Sequence, residues 1–247
     1  INLSLDGVGC QHDDIRGVRN NWSHAMATYS ALKALKKDYK NLTVGIHTVI
    51  SNFNIGLFSE LCEYVQRELK PDSYITEIAE ERVELDTVGL GITPTAERYT
   101  VAIDTLLESI RDQHLTGVAE ITQAFRRQYY EIVKKTLHEH RQVIPCMAGV
   151  ASAQIAPNGD VWTCCIRAQS MGNLRDHDYD FGSVWRTGKA DELRRSIKAG
   201  ECYCPLANAA YTNMLIHGPT VRRVAADVAR LHLTSARRRG GRQESPV

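Results

Sequence analysis

The chain has 247 residues, of which 43% are hydrophobic, so it is long enough to bury the core of a globular protein. Its 30 lysines and arginines nearly balance 29 aspartates and glutamates, which gives a formal charge of +1. Four arginines near the C-terminus, offset by one glutamate, leave a slightly acidic body, which disfavours a general nucleic-acid surface. No apolar run approaches the roughly 18 residues of a membrane helix.

The first seven residues contain no Met, no basic flank and no apolar signal core. They have the composition of a strand, so we expect the true N-terminus to lie upstream of Ile1. The seven cysteines are an odd number, which favours a reducing compartment with thiolate ligands over a closed set of disulfides. We therefore expect a cytoplasmic protein.

The first region alternates strand-like runs with amphipathic helices, a pattern typical of parallel strands joined by crossover helices. Strands are predicted over 1–5, 42–51 and 73–78. Apolar residues at helical spacing between them predict helices that cover the sheet. These residues are Trp22, Met26, Tyr29, Leu32 and Leu35, followed by Leu57, Leu61, Val65 and Leu69.

Two further helices are predicted before the composition changes. Thr93 and Pro94 indicate the N-cap and first turn of a helix with apolar residues up to Ile110. A longer amphipathic helix is predicted from about residue 118 to His140. We expect both helices to cover the sheet.

The region after Pro145 is rich in cysteine, because five of the seven cysteines lie between residues 146 and 204. Asn158 and Gly159 separate two strand-like runs and predict a β-hairpin. A helix is predicted over 190–199, followed by a turn-rich segment.

Four cysteines form the most informative set in the chain: Cys146, Cys164, Cys202 and Cys204. Soft thiolates suit an iron–sulfur cluster or a structural zinc, and we expect the four sulfurs to converge on one metal centre. The first two flank the hairpin, and the last two face the same side of the chain if that stretch is extended. Alternatively, all four are separate buried thiols that behave as small hydrophobes.

The other three cysteines are not predicted to bind this metal. Cys165 neighbours Cys164, and adjacent strand residues face opposite sides, so only one of the two should reach a given metal. Cys10 in a loop and Cys62 beside an apolar helix stripe are interpreted as structural.

Several stretches resemble the auxiliary-cluster extension of radical S-adenosylmethionine (SAM) enzymes, known as the SPASM or twitch domain. The matching stretches are 146–149, 155–164, 171–174, 184–185 and 202–204. The family pattern is a cysteine, about a dozen residues and then Gly-x4-Cys. Here Cys146 is followed by twelve residues, Gly159, four residues and Cys164, which selects Cys164 over Cys165.

The N-terminal region resembles the radical SAM partial barrel. Residues 4–7 and 12–17 look like its fourth strand and the following loop, and residues 48–52 look like its fifth strand. The resemblance implies an α/β fold, in which the C-terminal half of a partial (β/α)6 barrel precedes a small α+β cysteine-rich domain. The implied domains are the partial barrel with strands four to six and covering helices over 1–144, a SPASM/twitch-like iron–sulfur domain over 145–216, and a C-terminal helix with a disordered basic tail over 217–247.

The resemblance also implies cofactor contacts. Ser4 would meet the ribose of SAM, Arg16 its carboxylate, and Thr48 would lie near the adenosine. Alternatively, the two hydroxyls bond local backbone and Arg16 pairs with Asp13 or Asp14.

The implied metal cofactor is a [4Fe-4S] auxiliary cluster on Cys146, Cys164, Cys202 and Cys204. The family holds a second [4Fe-4S] cluster in a Cys-x3-Cys-x2-Cys loop, a spacing that this sequence lacks. We expect that loop upstream, so the chain alone should be inactive. A half barrel would also expose a strand edge, which predicts aggregation of the isolated chain.

The resemblance implies a radical SAM enzyme that uses a 5′-deoxyadenosyl radical to modify a peptide or small-molecule substrate. Its partners would be that substrate and an electron donor such as flavodoxin or ferredoxin. A second hypothesis is a non-catalytic zinc- or iron–sulfur-binding scaffold. A third, in which the arginine tail binds a polyanion, is weaker because such tails are commonly solvated.

Overall fold

The computed structural model describes residues 1–110 and 117–240, with the backbone alone described for 231–240. The chain divides into two compact units, Ile1–Asp112 and Gln113–Val247. This division lies before the long helix predicted over about 118–140, which we had expected to belong to the partial barrel. The family boundary near residue 144 stays a prediction.

The first unit is an α/β structure with a parallel sheet. Its elements are β1 (Asn2–Ser4), α1 (Cys10–Arg16), α2 (Asn21–Leu35), β2 (Gly45–Ile50), α3 (Phe58–Tyr64), β3 (Ser73–Ile78) and α4 (Ala96–Ser109). Short helical turns cover Ile55–Leu57 and Val83–Leu85, and a π-helical turn over Val65–Leu69 follows α3. β2 lies between β1 and β3, and both pairings are parallel. The three predicted strands are therefore confirmed, with β1 and β2 shorter than expected.

One face of this sheet packs on helices. The core between them consists of Leu5, Tyr29, Val44, Ile46, Leu61 and Val65. It contains members of both predicted apolar stripes, because residues at helical spacing share one face of a helix. Strand residues of the opposite parity, Ser4, His47 and Glu77, are exposed or half-buried. The first face is therefore largely apolar, whereas the second, called the polar face below, is more open and also carries the half-buried Val49 and Ile75.

The helix α4 begins later than its predicted N-cap at Thr93. Thr95 is the N-cap, and its hydroxyl accepts a hydrogen bond from the Arg98 N–H at 3.4 Å. The Thr93 carbonyl instead accepts one from Asn52 Nδ2 at 2.9 Å, in the loop after β2. The segment before α4 is thus anchored at the carboxyl end of the sheet.

The second unit contains a small antiparallel sheet among helices. Its elements are α5 (Val118–Glu139), β4 (Gln154–Ile155), β5 (Asp160–Trp162), β6 (Ser170–Asn173), α6 (Phe181–Trp185), α7 (Gly188–Lys198), α8 (Ala207–Ile216) and α9 (Gly218–Gly240). β5 pairs with both β4 and β6. The β4–β5 pair is the predicted hairpin, whereas β6 was not predicted as a strand.

The helix α9 extends further than the sequence suggested. Residues 234–240 were expected to be disordered, yet they continue the helix, because alanine and arginine favour helices and no glycine interrupts them until Gly240. The remaining predicted disorder, in 241–247, lies outside the described residues. In the described part of the chain, no helix has the length and apolar character needed to cross a bilayer.

Candidate metal centre

The segment that carries Cys146 is held beside the segment that carries Cys202. Gln142 Nε2 donates hydrogen bonds to two backbone carbonyls, those of Ile197 and Cys202, each at 2.8 Å. One amide therefore ties the chain before Cys146 to both the end of α7 and the loop after it.

The residues that follow Cys146 are also fixed. The Met147 N–H donates to Oδ1 of the buried Asn213 in α8 at 2.7 Å. Gly149 has a φ of +75°, and a Cβ atom there would lie 2.9 Å from Thr163 Cγ2. Glycine is therefore needed at this position both for the backbone conformation and for the close approach of Thr163.

The two adjacent cysteines after β5 occupy different environments. Cys165 is 6% exposed and packs in an apolar cluster with Leu206 and Ala209. Cys164 is half-buried, and it lies at the edge of the same cluster together with Cys204. Both cysteines lie after the end of β5, so strand alternation does not decide between them, and the choice of Cys164 as the ligand stays a prediction.

The Cys202–Cys204 stretch has no regular secondary structure and leads into α8. The Tyr129 hydroxyl on α5 donates to the Pro205 carbonyl at 3.2 Å, which anchors its far end. Cys202 and Cys204 line one cavity together with Cys146. The structure thus brings three of the four predicted ligands to one cavity, and the fourth, Cys164, packs against the same apolar cluster as Cys204.

The Cys202 thiol has the most informative electrostatics of the set. Burial raises its pKa, and negative charge on Cys146 and Cys164 would raise it further. Arg167 lowers the pKa, since its Nη1 lies 3.9 Å from the Cys202 sulfur and donates to Ser196 Oγ at 2.8 Å. A cationic donor thus faces a thiol that a metal would hold as thiolate.

The donor set fits an iron–sulfur cluster by its chemistry, because all four residues are half-buried cysteines that form no disulfide. Among the described residues, however, no three histidine, cysteine, aspartate or glutamate side chains are placed to hold a metal ion. A single zinc ion, with Zn–S bonds of about 2.3 Å, would require sulfurs about 3.8 Å apart. In a four-iron cluster each thiolate binds a different iron, so the sulfurs are spaced more widely. The arrangement therefore does not have the geometry of a single-ion site.

The predicted SAM contacts do not form one group. Ser4 is exposed on the polar face of the first sheet, in register with His47. Thr48 lies on the other face and is 0% exposed. Its hydroxyl donates to the Leu5 carbonyl at 2.5 Å and accepts from the Tyr74 hydroxyl at 3.2 Å. Thr48 is therefore not accessible to an adenosine on the face that carries Ser4. Its bond to the Leu5 carbonyl is a contact with backbone, as in the alternative interpretation of this hydroxyl.

Arg16 is already paired within the protein. Its Nη2 lies 2.6 Å from Oδ2 of the buried Asp6, rather than beside Asp13 or Asp14. The other Asp6 oxygen accepts the Val49 N–H at 2.9 Å. The guanidinium thus stabilises a carboxylate that caps the sheet, and it would have to leave this partner to bind a ligand carboxylate.

The polar face of the first sheet contains a pair that the sequence analysis missed. His47 Nε2 lies 3.6 Å from Glu77 Oε1. This nitrogen atom is buried and has no hydrogen-bond partner. Just after β3, Glu80 Oε1 is also buried and unpaired, and burial raises the pKa of Glu80 to about 8. Strand alternation alone predicts that His47 and Thr48 face opposite sides of the sheet. The approach of His47 to Glu77 depends in addition on the register in which β2 and β3 pair.

Comparison with protein families gives one match. Residues 146–205 match the SPASM iron-sulfur cluster-binding domain. This range contains all four predicted ligands, the hairpin and α7, and it supports iron–sulfur binding by this part of the chain. No curated protein and no solved structure matched the sequence.

Proposed function

We propose that Cys146, Cys164, Cys202 and Cys204 hold one [4Fe-4S] cluster. The observation that carries this proposal is that the iron–sulfur domain match spans all four cysteines, three of which line one cavity. When bound, the cluster would supply one-electron transfer. The role of the chain is to hold the sulfurs, through the bonds from Gln142 and Met147, and to present Arg167 to Cys202.

We further propose that the intact protein is a radical SAM enzyme that uses a 5′-deoxyadenosyl radical to modify a peptide or small-molecule substrate. The domain match supports this, because SPASM domains occur in radical SAM enzymes. A parallel α/β sheet whose polar face carries Ser4, His47 and Glu77 is a suitable surface for a polar ligand. Ser4 is the one predicted SAM contact that lies on that face.

The cluster proposal is tested by anaerobic reconstitution of the chain with iron and sulfide. We expect a brown protein with about four irons and four acid-labile sulfides per chain. Zinc without sulfide would contradict it. The enzyme proposal is tested on the natural-length protein, reduced in the presence of SAM, by chromatography of 5′-deoxyadenosine. Absence of this product from protein that carries its clusters would contradict it.

A second candidate is a cluster-binding scaffold without catalysis of its own. The domain match supports it equally, because that match concerns cluster binding and not catalysis. The same deoxyadenosine assay separates the two candidates, because a scaffold would bind iron and sulfide and leave SAM intact.

A further inference from the structure

A large groove in the second unit lies next to Cys146. Its volume is about 880 Å³, and its walls are residues 141–148 with Val150 on one side and the end of α7 on the other. Cys146 lines this groove as well as the cavity that it shares with Cys202 and Cys204. A molecule seated in the groove would therefore touch one of the proposed cluster ligands.

The groove is cationic. Among the described residues that line it, none is acidic and four are basic: Arg141, Arg194, Arg195 and Lys198. Arg194 pairs with Asp191 at 2.7 Å, and Arg141 pairs with Glu139. Among the described residues, the side chains of Arg195 and Lys198 have no ion pair or hydrogen bond, and both are exposed. Two cations are thus free to meet an acidic ligand.

The groove also offers apolar surface. Val143, Ile144 and Pro145 line it, and Val150 at its edge is 52% exposed. An apolar strip beside free cations is typical of a transient protein–protein interface, in which charge guides association and a small apolar area stabilises the complex. A single phosphate would fill only part of a space of this size.

We propose that this groove docks the acidic surface of a protein that donates electrons to the cluster. The electron-transfer part of this inference rests on the proposed function, whereas the docking part does not. One electron would leave the reduced donor, which is oxidised, and enter the cluster, which is reduced, with no proton or bond exchanged. Docking against Cys146 would bring the donor to the ligand shell of the cluster.

The test uses the full chain, first without iron, and a fluorescently labelled flavodoxin as the acidic probe. We expect micromolar binding that weakens as salt rises. The double variant Arg195→Glu/Lys198→Glu should weaken binding by at least about tenfold at low salt. The matched control is Arg222→Glu/Arg223→Glu, which reverses two exposed arginines of α9 outside the groove and should change binding less than about twofold. Circular dichroism checks that both variants are folded.

A second measurement locates the complex. Bound flavodoxin should slow alkylation of Cys146 and leave that of the exposed Cys10 unchanged. Absence of binding, equal weakening by both double variants, unprotected Cys146, or equally tight binding of a single-stranded RNA would overturn the inference. If flavodoxin binds as expected but the reconstituted chain holds no iron and sulfide, docking stands and the proposed function fails.

Discussion

The two sheets of the molecule are stabilised by different means. The first sheet packs large apolar side chains such as Tyr29, Ile46 and Leu61 against its helices. The second has a small core around Val161 and Met171, and the cysteine loops beside it are fixed largely by side-chain hydrogen bonds to backbone. The first sheet thus has the larger apolar core, whereas the cysteine loops beside the second have more to gain from a bound cluster.

The two regions should differ most in how a cysteine substitution affects the metal content of the protein. Replacing Cys202 with Ser removes one proposed ligand, so iron and sulfide bound after reconstitution should fall by at least about tenfold. The matched change, Cys10→Ser, lies in the first unit and should leave both unchanged. Equal metal content in the two variants would show that Cys202 is not a ligand.

Removal of the cluster should affect only one region. After chelation, amide hydrogen exchange should quicken in residues 146–205, because the cluster no longer holds the cysteine loops together. Peptides from β2 and β3 should exchange at the same rate before and after chelation. Faster exchange in β2 and β3 as well would contradict the claim that the cluster stabilises only the cysteine-rich region.

Substitution of Gly149 tests the packing beside Cys146. Gly149→Ala places a Cβ 2.9 Å from Thr163 Cγ2 at a φ of +75°, so it should lower the free energy of unfolding by about 2–4 kcal/mol. Gly200→Ala is the control, since its φ is +78° but its Cβ would meet nothing within 4 Å. It should cost about 1 kcal/mol in urea unfolding of the second unit. Equal costs would show that contact with Thr163 is unimportant.

A further effect, in the first region, depends on pH. Burial raises the pKa of Glu80 to about 8, against about 4.3 in an unfolded chain. Between these values the folded protein keeps a proton that the unfolded chain releases, so stability should fall as pH rises from about 4.3 to 8. Glu80→Gln cannot ionise, so it should remove the part of this loss that comes from Glu80.

The pH effect is measured by urea unfolding at several pH values, followed by hydrogen exchange in β2 and β3. The difference between wild type and Glu80→Gln isolates Glu80 from the other titrating groups. Parallel pH profiles for the two proteins would show that the Glu80 carboxyl is ionised in the folded state at neutral pH.

Local patterns in the sequence predicted much of the fold. The strands β2 and β3 and the β4–β5 hairpin follow from β-branched residues and an Asn-Gly turn, which act over a few neighbouring residues. β6 escaped prediction because its four residues include Gly172 and two polar side chains, and it exists through pairing with β5. The cysteine set was predicted from thiolate chemistry, from its place around the hairpin and from the resemblance of its spacing to the SPASM pattern.

The contacts of polar residues on the first sheet could not be predicted, because they depend on which face of the sheet each residue occupies. Thr48 was assigned to the cofactor, yet it lies on the helix-covered face, while the adjacent His47 lies on the polar face. His47 and Glu77 are distant in sequence and meet because β2 and β3 pair in one register. Arg16 likewise pairs with Asp6 through a loop conformation that no short motif encodes.

The central claim is that four sulfurs of this chain hold one iron–sulfur cluster, and iron X-ray absorption on the reconstituted chain tests it most directly. The account predicts an iron shell of sulfur at about 2.3 Å with a second shell of neighbouring iron. An iron shell of oxygen or nitrogen without an iron neighbour would contradict it.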